Sequence, residues 1–274
     1  MDSKQIFEHW SNWAETYGTN LRATTKTGTA KLLELDALAR RLGLLNTTES
    51  ADILEVGCGN GINCISLSKQ FLNFNFDGID YIDKMVSAAQ DNLNETQDTS
   101  DRIRFFQGNV LEIKTHPALK KEYDLIFTNR CLINLNSPEL QQQAITAIAS
   151  MIKPGGYLVM IENSQTTYAE QNKCREALGL TPRTPAEFNL FFDETLIRAH
   201  LPSAGLSLLE TEDFSSLHDI ILYALVPAIN DGKIDYDHPI VHAATQLSRT
   251  LAATHPGAFG PFGQNRLFHC QKLS

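Results

Sequence analysis

The segment LEVGCGNGIN, Leu54 to Asn63, narrows the folds open to this chain more than any other. Three glycines, Gly57, Gly59 and Gly61, follow directly behind the apolar run Ile53 to Val56. Glycine loses more conformational freedom on folding than any other residue, so a cluster here implies backbone at φ > 0 or close approach to the main chain. An apolar strand that enters such a turn and leaves through the helical pattern Asn60 to Phe71 is a strand-turn-helix unit.

The unit repeats. Phe74 to Ile79, Ile103 to Gln107, Tyr123 to Thr128 and Tyr157 to Glu162 read as further strands, with a helix over Asp83 to Leu93. Ser137, Pro138 and Glu139 predict a helix start: serine caps, proline suits the first turn, and the carboxylate complements the helix dipole. Lys153-Pro154-Gly155-Gly156 is expected to stop that helix before the next strand. Such alternation brings the chain back in the same direction each time, which makes a parallel sheet covered on both faces. With strands over Leu206 to Thr211 and Leu267 to Gln271, the expected fold is doubly wound α/β: a mostly parallel, Rossmann-like sheet of seven strands with helical N-terminal and C-terminal additions. Gln165 to Leu178, Asp193 to Ala204 and Val241 to Ala253 read as helices, Thr181 to Pro185 as a loop, and Ser216 to Ile229 as helix or strand.

No repeat or flexible linker divides the chain, so one domain over 1–274 is expected: a helical cap over 1–45, a core over 52–162, and a substrate-side, sheet-completing region over 163–274. Lys and Arg number 23 against 32 Asp and Glu, a formal charge of −9, with no basic run to neutralise phosphates, so nucleic acid is a poor partner. Five cysteines without CxxC spacing suggest reduced thiols and no metal site. No signal-like or membrane-spanning apolar run stands out, and a cytoplasmic protein is expected.

Dinucleotide folds want GxGxxG, whereas this turn is GxGxG with Ile62 in the last place. The chain resembles the class I S-adenosylmethionine-dependent methyltransferases through EVGCGNG (Glu55 to Gly61), GID (Gly78 to Asp80), GNV (Gly108 to Val110) and IKPGG (Ile152 to Gly156), in order over residues 52 to 162. That resemblance implies S-adenosyl-L-methionine as cofactor. It implies Glu55, Gly57, Gly59 and Gly61 at the methionine end, Asp80 on the ribose hydroxyls, and Asn109 with Val110 beside the adenine, with Tyr17 in a leading segment that covers the pocket. The residues alone also allow plainer parts: Asp80 as a helix cap, Glu55 as a strand-end carboxylate, Asn109 as a turn residue.

Methyl transfer from a sulfonium is an in-line displacement, so alignment and exclusion of water matter more than a conspicuous triad. Glu162 is the candidate base, and Arg130, after the fourth strand, is the candidate grip on an anionic group, with a surface ion pair as its alternative. Asn163, Tyr168 and Arg175, with Gln171 and Asn172, share the edge or helix beyond the fifth strand, while Arg22 and Lys26 can meet an anionic substrate. Cys131 reads as packing, His238 and His242 as structural, and His9 and His218 as bases only if their segments fold over the cleft.

The expected function is methyl transfer to a small polar acceptor, at an oxygen of a sugar-like or anionic metabolite. YGTNLRATTKT, TNRCLINL and IENSQ are similar to stretches of bacterial methyltransferases linked to sugar or surface-glycan modification. N-methylation of a small amine and a non-catalytic cofactor-binding protein are the alternatives. The glycine spacing disfavours a nicotinamide enzyme.

Overall fold

In the computed structural model, which describes residues 1–45, 49–96, 101–252, 254–255 and 257–273, Asp2 opens α1 (Ser3–Tyr17) with a reciprocal cap. Its carboxylate accepts the Gln5 N–H at 2.9 Å and the Gln5 side chain accepts the Asp2 N–H at 2.9 Å. A threonine-rich loop then leads to α2 (Gly28–Leu42), which Thr27 caps. The apolar face of α2, with Leu33, Ala37, Leu38 and Leu42, lies on the sheet.

Beyond α2 the chain alternates: β1 (Asp52–Val56), α3 (Ile62–Ser68), β2 (Asn75–Asp80), α4 (Asp83–Glu95), β3 (Ile103–Gln107), β4 (Tyr123–Asn129), α5 (Pro138–Ala149) and β5 (Ile152–Asn163). Helices α6 (Gln165–Ala177) and α7 (Glu194–His200) precede β6 (Leu206–Glu212), and β7 (Asn265–Lys272) closes the sheet. The strand order is β3-β2-β1-β4-β5-β7-β6. Strands β1 to β5 pair in parallel, while β7 runs antiparallel to β5 and to β6. This is the doubly wound fold expected from the alternation. Its order reverses between β1 and β4, which opens a crevice at the C-terminal strand ends.

Period-two alternation sorts the strands into two cores. Ile126 packs with Leu54, Leu158 and Met160 on one face, and Leu125 and Phe127 pack with Ile53, Val159 and Ile161 on the other. Each such buried side chain contributes about 2 kcal/mol.

Two local expectations change, and one choice the sequence left open is settled. The helix after β1 is shorter than Asn60 to Phe71, because Gly61, at φ 76°, is its N-cap and the last residue is Ser68. Lys153 to Gly156 does not end α5, which already stops at Ala149. Between the Tyr123–Ile152 and Leu125–Tyr157 pairs these residues bulge out of β5, with Gly155 at φ 78°. Ser216 to Ile229 is helical throughout: α8 (Ser216–Ile220), a π-helical turn over Ile221–Leu225, and α9 (Val226–Ile229). There Leu222 and Val226 pack on Val241 and Ala244 of α10 (Pro239–Ala252). Residue 253, the expected end of that last helix, lies outside the described residues. No helix among those described is long and apolar enough to cross a membrane.

Candidate active site

The glycine turn is crowded by the protein itself. Gly57, Gly59 and Gly61 have φ of 75°, 52° and 76°, a region L side chains avoid. A Cβ on Gly57 would run into Cys131, one on Gly59 would lie 2.6 Å from Thr24 Cγ2, and one on Gly61 would lie 2.6 Å from Phe105 Cζ. Glycine is thus required by backbone hand and by neighbouring side chains. Asp80, at the end of β2, ties the turn down by accepting the Gly59 N–H at 2.8 Å, and it accepts the Ile82 N–H at 2.9 Å ahead of α4. Burial raises its carboxyl above the ordinary value against the pull of these N–H donors.

A cavity of about 1000 Å³ opens over these strand ends. Gly57, Gly59, Asp80, Asn109 and Val110 line it, and so do Arg22, Arg130, Asn163 and Tyr168. Lys26 and His9 also reach the wall, where His9 stacks on Phe188 with ring centroids 4.2 Å apart. Tyr17, Glu55, Gly61, Glu162 and Arg175 stand behind it.

Each of these has another task. Tyr17 packs on Trp13, centroids 4.6 Å apart. Glu55, fully buried, accepts from Asn63 Nδ2 at 2.7 Å and from Cys64 Sγ at 3.1 Å, and burial pushes its carboxyl up to about 7. Its partner Asn63 lines the cavity. Glu162 accepts from Thr128 Oγ1 at 2.7 Å and from the N–H groups of Cys131, Leu132 and Ile133 at 3.2, 3.1 and 3.3 Å. Burial pushes it, too, up to about 7. A general base must reach the proton it removes, and Glu162 is instead sealed under the turn whose Cys131 and Ile133 face the cavity. Arg175 donates from Nε and Nη2 to the Thr181 carbonyl at 2.9 and 2.8 Å, holding the loop after α6.

His218 is buried behind the wall, between Asp219 (Nδ1 to Oδ1, 2.7 Å) and Thr29 (Nε2 to Oγ1, 3.0 Å). Burial pushes the Cys131 thiol well up, which suits packing and not nucleophilic attack.

The sequence reading passed over Glu34. Fully buried on α2, it meets Lys31 Nζ at 2.9 Å and Arg130 Nε at 3.0 Å, and accepts from Asn129 Nδ2 at 2.9 Å and Asn265 Nδ2 at 3.1 Å. Burial opposes its charge, but Arg130 and Lys31 outweigh that and hold the carboxyl down at about 2. Arg130 therefore stands on the cavity wall already paired with an acid, at φ 55°, with Nη2 on the Thr24 carbonyl at 2.6 Å. The signal lay in α2: Glu34 shares a helix face with Ala37 and Leu38, one turn from Lys31, where a lone charge is out of place.

The wall offers a matched set of groups for an adenosyl sulfonium with an amino-acid tail. Each Asp80 oxygen keeps a lone pair for a ribose hydroxyl. The Asn109 Oδ1 accepts the Leu111 N–H at 3.0 Å, and its Nδ2 can donate to a base. The Asn129 Oδ1 is buried with no hydrogen-bond partner among the described residues, an acceptor in want of an N–H.

The model of a family described as methyltransferase domain matches residues 47–194, more than half of the chain. Malonyl-(acyl-carrier protein) O-methyltransferase 2 of Ilyobacter polytropus is 26% identical over 172 residues, covering 62% of this chain and 58% of that protein. Malonyl-(acyl-carrier protein) O-methyltransferase of Paenibacillus sp. is 30% identical over 135 residues, covering 48% and 47%. The matches thus span about half the length of these relatives. Among solved structures, magnesium protoporphyrin IX methyltransferase of Synechocystis with bound S-adenosylhomocysteine shares the fold, with a TM-score of 0.55 at 17% identity over 87% of this chain and 82% of that one. The chain belongs to the methyltransferase domain family, as its resemblance to the class I S-adenosylmethionine-dependent methyltransferases implied.

Proposed function

We propose that this protein methylates an oxygen of a small anionic or sugar-like acceptor. One observation carries the reading: a single cavity is lined both by Gly57, Gly59 and Asp80 and by Arg130, Asn163 and Tyr168, so donor and acceptor can share one space. S-adenosyl-L-methionine supplies a methyl group on a positively charged sulfur, already activated for displacement. Asp80 holds the ribose hydroxyls, Asn109 and Val110 flank the base, and the Gly57–Gly59 turn and Asn129 meet the amino-acid tail. Glu34 fixes Arg130 and Lys31 in one orientation on the cavity wall.

With Glu162 buried behind the wall, an acceptor that is already anionic suits the site best, because a carboxylate oxygen needs no base to attack. The relatives named as O-methyltransferases of a malonyl group support an oxygen acceptor over an amine. The test is S-adenosylhomocysteine release across a panel of carboxylic acids, sugar phosphates and amines, with products separated by mass. Alkali-labile methyl esters are expected. Methylated amines alone would overturn the reading in favour of N-methylation, and absence of S-adenosylhomocysteine release with every acceptor in the panel would overturn it in favour of a binding protein.

A further inference from the structure

We propose that Arg183 anchors a second oxyanion of the acceptor, a carboxylate or phosphate that keeps its charge while another oxygen is methylated. The proposal rests on the methyl-transfer reading above and specifies the acceptor's class: a molecule with two acidic groups, or with one acidic group and a hydroxyl.

Arg183 lies in the irregular segment after α6 and lines the cavity. Its backbone is clamped from both sides by Asn172, which accepts the Arg183 N–H at 2.9 Å and donates to the Arg183 carbonyl at 3.0 Å. The guanidinium stacks 3.7 Å from the centroid of the Tyr223 ring and lies 5.4 Å from that of Tyr168. Nη1 donates to Gln171 Oε1 at 2.8 Å and Gln264 Oε1 at 3.1 Å. These two acceptors are neutral, so they orient the fork without neutralising it. Among the described residues, Nε and Nη2 have no protein acceptor and no carboxylate comes within ion-pair distance.

Arg183 shares this with Arg22 and Arg175, which also meet no carboxylate among the described residues, but most arginines of the fold do meet one. Arg40, Arg41, Arg104, Arg130, Arg249 and Arg266 each meet a carboxylate. The chain has 32 acidic side chains to 23 basic ones, so acids are not scarce. Asp219, on the same wall, spends its oxygens on His218 (2.7 Å), Ser215 (2.9 Å) and the Gln264 N–H (2.7 Å). Arg175, whose donors go to the Thr181 and Tyr223 carbonyls and not to an acid, adds a second positive charge beside Arg183, and burial together with the Arg183 charge lowers its pKa. Tyr223 and Tyr236 line the same corner, and burial raises both hydroxyls above their ordinary range, so they keep their protons as donors. A preorganised, half-buried guanidinium with a free edge between tyrosines matches a planar oxyanion. Gripping both oxygens drains their nucleophilicity, which is why the anchored group is not the one that attacks.

The test is calorimetry on the full chain, first with S-adenosylhomocysteine and then, on the loaded protein, with malonate, inorganic phosphate and the neutral malonamide. Arg183→Gln is expected to bind S-adenosylhomocysteine within about twofold of the unsubstituted chain and to weaken malonate or phosphate by about tenfold or more. Arg183→Lys, which keeps the charge but loses the fork, carries the same test should Arg183→Gln melt early, with a loss of about threefold or more. The anion that binds identifies carboxylate or phosphate. Anion affinity in both variants equal to that of the unsubstituted chain, or anions binding no better than malonamide to the loaded chain, overturns the proposal alone. Failure of the unsubstituted chain to bind S-adenosylhomocysteine overturns the methyl-transfer reading and this proposal with it.

Discussion

Glu34 Oε1 and Arg130 Nε lie 3.0 Å apart, a buried ion pair that joins the second N-terminal helix to the end of the fourth strand. Truncation in Glu34→Ala leaves Arg130 and Lys31 without their acid, and a cost of about 3–5 kcal/mol is expected, read as a lowered urea midpoint. The pair also sets a pH dependence. The folded carboxyl is held at about 2, below its unfolded value, so its contribution is complete above roughly pH 5 and is lost as pH falls toward 2. Glu34→Gln lacks this acid-side loss, and denaturant titrations at pH 3 and pH 6 measure the difference.

Asp80→Asn removes the charge proposed to face the ribose, and its single amide oxygen can still accept only one of the Gly59 and Ile82 N–H groups. Calorimetric affinity for S-adenosylhomocysteine should fall by about tenfold, or about 1.4 kcal/mol, beside a stability cost of about 1–3 kcal/mol for the N–H left facing the amide NH2. Unaltered affinity would remove Asp80 from the cofactor site.

Glu162→Gln is expected to act on stability and not on chemistry. The raised carboxyl of Glu162 stabilises the fold fully below the unfolded pKa, and that contribution disappears as pH rises through about 7. The amide variant loses this slope, and it presents a donor to the Ile133 N–H, which now faces an acceptor at 3.3 Å. A cost of about 1–3 kcal/mol follows. A turnover loss of about a hundredfold with an unchanged melting temperature would instead make Glu162 the base.

Gly57→Ala meets two obstacles at once, φ of 75° and the Cys131 side chain. The backbone alone costs about 1–2 kcal/mol, and the overlap adds about 1–3 kcal/mol. Combining it with Cys131→Gly, which removes both the Sγ and the Cβ in the way, should recover the second part only, which thermal melts of the two single variants and the double variant can separate.

The alternation of apolar period, the glycine turn and the Ser137-Pro138 helix start made the sheet and its switch point legible, because these are local consequences of backbone geometry. Gly57, Gly59, Asp80, Asn109 and Val110 sit at strand ends, and a strand's end is a local fact, so their arrival at one cavity was foreseeable. Glu55 and Glu162 looked equally exposed at the same edge. Only packing across the sheet shows Glu162 closed over by residues 131–133 and Glu55 by Asn63 and Cys64.

The sequence by itself determined the fold class, the position of the turn and the chemistry its spacing admits. Tertiary structure decided which charges meet. Glu34 comes from 96 residues before Arg130, and Arg183 lies 81 residues from Gln264, separations at which no helical or strand period carries information. Whether an arginine is neutralised by an acid or left to a ligand depends on distances of a few ångströms between distant segments, and only the folded chain sets them.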